Sequence, residues 1–210
     1  MRTQLSLLGA LLPIFTAAIA PANITILSTK ISNCDTPITT KPSNNNTSLD
    51  ILYDTRKSKG LAPDSLASTD SANATETTCV VCMRFRWSNK LYGRIMSLDY
   101  DFENRLDPGL LEQVFTTING EGKPDTEQAY FETSYIYGGE ETAKTYHVHT
   151  NQPNASEPFL LDFTKAQESL CVQTTFRVIA RGGVTHAGGE ISRKSVFVQS
   201  VNVAWQSEKP

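Results

Sequence analysis

This chain carries none of the short signatures that mark the common catalytic folds. G-x-S-x-G, the P-loop, the glycine fingerprint of dinucleotide binders, H-E-x-x-H and the cysteine-protease motif are all missing. Its many serines offer no Ser/His/Asp set that stands apart from chance. Charge excess is missing too: 19 basic and 22 acidic residues leave a net charge of -3, a field too small and too mixed to draw nucleic acid or an anionic bilayer. There is no fixed-period repeat and no β–α–β alternation. Beyond the first 22 residues no apolar run is long enough to span a bilayer, so no transmembrane segment is expected. What remains of the 210 residues, 39% hydrophobic and 20% charged, suits one globular domain with a leader and a loose segment.

The leader is the clearest positive signal. Arg2 supplies a short positive region, Leu5 to Ile19 an apolar core, and Ala18-Ile19-Ala20 a small-x-small cleavage pattern. Residues 1–20 therefore read as a signal peptide; Pro21 disfavours that cut, and cleavage after Ala22 competes with it. Secretion changes how the four cysteines are read. In an oxidising compartment, Cys34, Cys79, Cys82 and Cys171 favour two disulfides. Asn23, Asn45, Asn46, Asn73 and Asn154 stand in N-x-S/T triplets, the acceptor pattern of secreted glycoproteins.

Three segments follow the leader. Residues 21–34 read as a short N-terminal strand, and 35–78 as a polar, glycosylated loop or loose segment, with one apolar cluster at Leu49 to Tyr53. Residues 79–210 read as a disulfide-stapled, all-β domain, an antiparallel β-sandwich of about eight strands with one short helix. In Cys79 to Trp87, Val81, Met83, Phe85 and Trp87 alternate against Cys82, Arg84 and Arg86. A turn and Leu91 to Phe102 would complete a hairpin. A second hairpin is expected from Gln128 to Tyr137 and Ala143 to Thr150. The helix is placed at 107–120, where Asp107 and Pro108 resemble a cap and first turn, and Leu110, Leu111, Val114, Phe115 and Ile118 recur at helical spacing. Lys165 to Leu170 suits one further helical turn. Strand parity places Cys82 and Cys171 on polar faces, which favours Cys82–Cys171 and leaves Cys34–Cys79 to hold the N-terminal strand.

Several residues suit chemistry. Cys79 and Cys82 form a C-x-x-C, but it leads into a strand and lacks a second ligand pair, so structural disulfides are expected rather than redox or zinc use. His147 and His149 point the same way on a strand and would share one copper or zinc ion, with His186, Glu157 or Glu190 completing the set. The His147-Val148-His149 triplet resembles the copper-binding strand of copper/zinc superoxide dismutases and the H-x-H of cupins. It departs from the cupin pattern, since Pro153 and Asn154 stand where a carboxylate belongs, and the chain has too few histidines for the dismutase set. No other cofactor is expected. Asp99, Asp101 and Glu103 share a face and would suit calcium or a glycosidase carboxylate pair. Arg84, Arg86 and Arg94 form a basic patch. Tyr130, Phe131, Tyr135 and Tyr137 would suit carbohydrate stacking.

These features favour a secreted, extracellular glycoprotein that binds an external protein or glycan rather than catalysing a reaction, using loops such as 120–127 and 182–190 as contact surfaces. The composition resembles that of small secreted proteins of filamentous fungi, which implies a host-directed effector, or virulence factor. The alternatives are an extracellular metal-dependent enzyme centred on His147 and His149, or a lectin-like carbohydrate binder. Nucleic acid is not an expected partner.

Overall fold

The computed structural model describes residues 24–57, 65–69, 75–86, 91–120, 128–151, 160–162, 168–181 and 187–206. Among them the only helical element is a three-residue 3-10 turn at Thr55–Lys57. Strands β1 (Thr25–Ser32), β2 (Ile38–Pro42), β3 (Ser48–Asp54) and β4 (Ala67–Thr69) precede three long ones, β5 (Thr75–Arg86), β6 (Tyr92–Leu106) and β7 (Leu110–Gly120). The short β8 (Gln128–Glu132) and β9 (Ile136–Tyr137) lead to β10 (Glu140–Asn151) and β11 (Leu160–Asp162). The chain closes with β12 (Glu168–Ala180), β13 (Gly189–Ile191) and β14 (Val196–Gln206).

All pairings are antiparallel, and they divide the strands into two sheets. The six-stranded sheet runs β1-β5-β12-β7-β8, with β9 also on β7. The eight-stranded sheet runs β2-β3-β14-β6-β13-β4, with β10 and β11 also paired to β6. The sandwich expected from the sequence is the fold, but its strands number fourteen among the described residues, not about eight. Part of the excess comes from the 35–78 segment, which holds β2, β3 and β4. Ser48, Asp50 and Leu52 take the outer positions of β3 while Leu49, Ile51 and Tyr53 are buried. Trp205 Nε1 fastens the β2–β3 turn by donating to the Asn46 carbonyl at 2.7 Å.

The helix expected at 107–120 is a strand. Asp107-Pro108-Gly109-Leu110 is a β-turn: Leu110 N–H donates to the Asp107 carbonyl at 3.1 Å, and Gly109 has φ 90°, as the third position of a type II turn requires. The spacing of four between Leu110, Val114 and Ile118 keeps them on one face of a helix or of a strand alike. The residues between decide it: Glu112 and Thr116 are also buried, so the period is two. The turn carries the chain from one sheet to the other.

The two expected hairpins are not formed either. β5 and β6 lie in opposite sheets, and so do β8 and β10. Glu168–Leu170, expected in a helical turn, opens β12. Trp87 lies outside the described residues.

Both disulfides preferred on parity are the ones present, Cys34–Cys79 and Cys82–Cys171. Cys82 and Cys171 are direct cross-strand partners on the outer side, whereas Cys79 is fully buried. Both bonds anchor in β5, between β1 and β12, and each contributes about 2–4 kcal/mol by restricting the unfolded chain.

Between the sheets the core is mostly apolar and holds one hydrogen-bonded polar network. Tyr53 OH donates to Gln199 Oε1 at 3.0 Å, and Thr174 Oγ1 donates to the same oxygen at 2.9 Å. Gln199 Nε2 and Tyr100 OH both donate to Thr116 Oγ1 at 2.9 Å. Tyr53, Tyr100 and Gln199 stand on the larger sheet, Thr116 and Thr174 on the smaller. Burial pushes both phenols well above the usual tyrosine range. The network fixes how the sheets sit on each other, because slipping either strand by one residue would leave these buried groups unpaired.

Candidate functional site

The outer face of the six-stranded sheet holds a shallow groove. Alternation in β12 buries Val172, Thr174, Phe176 and Val178, so Gln173, Thr175 and Arg177 must face out. The same parity turns out Glu76 from β5, Phe115 and Thr117 from β7, and Tyr130 from β8. These seven residues line a groove of about 300 Å³.

The two charged residues of its lining are paired with each other. Arg177 Nε donates to Glu76 Oε2 at 2.8 Å, and Arg177 Nη2 approaches the same oxygen at 2.7 Å. The Arg177 guanidinium also lies 5.3 Å from the Phe115 ring centre, a cation–π contact that holds the ring in place. Tyr130 OH donates to Glu132 Oε2 at 3.0 Å, and Gln113 Nε2 donates to Oε1 of the same carboxylate. The Tyr130 phenol is pushed up to about 12, first by burial and then by Glu132, so it stays neutral. On the floor, Gln173 and Thr117 are register partners whose side chains make no hydrogen bond to another described residue. The groove therefore offers two aromatic surfaces, free polar groups between them, and no net charge from its ion pair.

The expected metal residues sit on the opposite sheet. His147 and His149 both point outward from β10, directly across from Asp101 and Asp99 of β6. His149 Nδ1 lies 2.5 Å from Asp99 Oδ1, and His147 Nδ1 pairs with Asp101 Oδ1. Asn202 Nδ2 donates to the second Asp99 oxygen at 2.6 Å. His186 and Glu157 lie outside the described residues, and Glu190 pairs with Arg193 at 2.6 Å. Among the described residues no group of three or more His, Cys, Asp and Glu is placed to hold a metal ion. Asp99 and Asp101, read as calcium or acid–base candidates, are engaged by these imidazoles.

The hydrogen bond to Asp99 raises the His149 pKa above the ordinary imidazole value, against a small opposing effect of burial. Histidine titration by NMR is expected to show this, and Asp99→Asn to bring His149 back down. An unchanged midpoint in the variant would mean that the pair does not form in solution.

The remaining expected residues divide. Arg84 and Arg86 are exposed on β5, whereas Arg94 is exposed on β6 of the other sheet. They form no single patch, because the expected hairpin that joined them is absent. Phe131 is fully buried, as alternation in β8 demands, while Tyr130, Tyr135 and Tyr137 are exposed. Asn45 and Asn46 lie in the β2–β3 turn; Asn23, Asn73 and Asn154 lie outside the described residues, as do 121–127 and 182–186. Phe115, Gln173, Thr175, Arg177 and Glu76 were not foreseen as a site. The signal available was Phe115, a large apolar residue on the wet face once 110–120 is read as a strand.

No protein-family model matches the chain, and no curated protein matches it. Among solved structures, the chain is similar to TmCBM61 in complex with beta-1,4-galactotriose, at 7% identity and a TM-score of 0.26, covering 81% of this chain and 86% of that one. It is also similar to the family 11 carbohydrate-binding module from Clostridium thermocellum in complex with a beta-1,3-1,4-mixed-linked tetrasaccharide, at 9% identity and a TM-score of 0.20, over 91% of both chains. A third likeness, to bacteriophage CBA120 tailspike protein 4, has 10% identity and a TM-score of 0.23, and spans 88% of this chain but 19% of that one. Likenesses of this size assign neither a family nor a ligand, and nothing in them or in the fold supports a host-directed role. No helix among the described residues is long and apolar enough to cross a membrane.

Proposed function

We propose that the protein is an extracellular carbohydrate-binding module whose ligand lies in the groove on the outer face of the six-stranded sheet. The observation that carries this reading is the groove's composition. The rings of Phe115 and Tyr130 stand beside the free polar side chains of Gln173 and Thr117, over an Arg177–Glu76 pair that cancels its own charge. Sugars present an apolar C–H face and a rim of hydroxyls. Such a ligand is held by aromatic surface for the first and by convergent polar groups for the second. The two disulfides and the sequence of residues 1–22 support an oxidising, extracellular setting.

Tyr130 is the residue to remove. It is exposed and contributes no core contact, so Tyr130→Ala is expected to leave the thermal unfolding midpoint nearly unchanged. Oligosaccharide affinity should fall about tenfold, the loss of one stacking ring. Titration calorimetry on the best ligand from a glycan array reads both variant and parent. Unchanged affinity in the variant would move the site elsewhere.

A further inference from the structure

The outer face of the six-stranded sheet continues past the groove, and there its charge is no longer cancelled. Arg181 follows β12 four positions after Arg177, an even step that keeps it on the outer side. Its guanidinium lies 5.1 Å from the ring centre of Tyr137, the most exposed large hydrophobic side chain among the described residues at 57%. Arg177 has Glu76 as its counter-ion; no described carboxylate pairs with Arg181. Both partners are fixed by backbone. Arg181 N–H donates to the Gly109 carbonyl and Gly138 N–H to the Leu110 carbonyl, each at 2.9 Å. Gly138 is required there, since a Cβ would fall 2.1 Å from the Asp107 carbonyl oxygen.

Tyr137 also lines a hollow of about 120 Å³ with Asn104, Lys144 and Tyr146. Asn104 is 96% buried, and neither its amide nitrogen nor its amide oxygen has a hydrogen-bond partner. A buried amide is costly unless something satisfies it. Asn104 borders this hollow beside Lys144 and Tyr137, the residue whose ring meets Arg181.

The distance between this hollow and the groove follows from register. Tyr130 pairs with Thr117 and Tyr137 with Leu111 on the same strand. Six residues of strand span roughly 20 Å, longer than a single sugar ring. Between them the outer positions on β7 are Phe115 and Gln113, and toward Arg181 stand the half-buried Leu111 and Ile179.

Resting on the glycan reading above, we propose that the place where Tyr137 meets Arg181 and the Asn104–Lys144 hollow is a second subsite, selecting an anionic sugar on the chain held at Phe115 and Tyr130. The chemistry it recognises is an oxyanion on a sugar ring, either the carboxylate of a uronic acid or a sulfate ester. A guanidinium stacked by one face on tyrosine keeps its N–H edge free for two parallel hydrogen bonds to such a group.

The test is affinity for matched oligosaccharides that differ only in the acidic group: a neutral tetrasaccharide, its uronate counterpart and its sulfated counterpart, each titrated into the intact protein at low and at moderate salt. One acidic form is expected to bind about tenfold more tightly than the neutral one at low salt, with the margin shrinking as salt rises. Whichever form leads identifies the oxyanion. Arg181 is exposed, so Arg181→Ala should fold normally; it is expected to erase the preference while leaving neutral affinity in place. Tyr130→Ala should weaken all three ligands together. Neutral binding with no acidic preference, or a preference that survives Arg181→Ala, overturns the subsite and leaves the groove standing. No binding by any oligosaccharide on a glycan array overturns both.

Discussion

Truncating Phe197 to alanine is expected to cost about 3–5 kcal/mol of folding stability, the usual range for removing a buried phenylalanine. The ring is fully buried and stands where three strands and the opposite sheet meet. Its centre lies 5.8 Å from Tyr53 on β3, 5.8 Å from Tyr100 and 4.9 Å from Phe102 on β6, and 5.0 Å from Phe176 across the sandwich. The contacts with Tyr53 and Phe176 are edge-on, the favourable arrangement for aromatic quadrupoles. Tyr53 and Tyr100 also carry the hydroxyls of the buried polar network, so a cavity here loosens the rings that aim those hydrogen bonds. Phe197→Leu keeps most of the volume and should lose distinctly less. Urea unfolding reads the effect as a lower midpoint at unchanged slope. A loss under about 1 kcal/mol would place Phe197 outside the principal core.

What the sequence made legible was burial parity, and parity was enough for the disulfides. Cys82 and Cys171 fall on polar faces of their own strands, and the structure makes them direct partners. Parity does not say which strand lies beside which. β5 and β6 alternate cleanly and follow each other closely, yet they are paired in different sheets, because sheet assignment depends on partners far along the chain: β5 takes β12, and β6 takes β14. In β6 the alternation itself breaks at a bulge, where Asn202 pairs with Ser97 and Val203 with Ile95. Met96 is thereby turned outward, although strict alternation with Leu98 and Tyr100 would bury it.

The groove was less legible than the fold for the same reason. Its residues come from four strands, and no two strands that meet there are separated by fewer than seven residues of chain. Tyr130 was recognisable alone as an exposed aromatic candidate. Phe115 was hidden by assigning it to the apolar side of a helix, and Arg177 and Gln173 read as ordinary wet-face residues. The pair His147 and His149 stood out because both imidazoles lie within one triplet. Their actual neighbours, Asp101 and Asp99, are some fifty positions away.

Glu112 should make the protein lose stability as pH rises. Its side chain is fully buried on the inner side of β7, between Leu110 and Val114 along the strand and beside Val178 of β12. Neither carboxyl oxygen has a hydrogen-bond partner. On the facing sheet, Tyr100 meets Thr116 while Leu106 and Leu110 both crowd Gly189, which puts Asn104 level with Glu112, its amide likewise unpartnered. Burial alone pushes the Glu112 carboxyl well above its ordinary value, so the folded protein holds a proton that the unfolded chain releases. Stability is therefore fully present below the unfolded carboxyl's pKa of about 4.3. Above it, stability declines by about 1.4 kcal/mol per pH unit from this group until the folded pKa is reached. Glu112→Gln keeps the shape and cannot ionise. Parent and variant are expected to unfold at different denaturant midpoints at neutral pH, with the variant more stable, and their midpoints should converge as the pH falls toward 4. A variant that is less stable at neutral pH, or one whose difference from the parent does not change with pH, would mean that the carboxylate is charged and paired inside the fold.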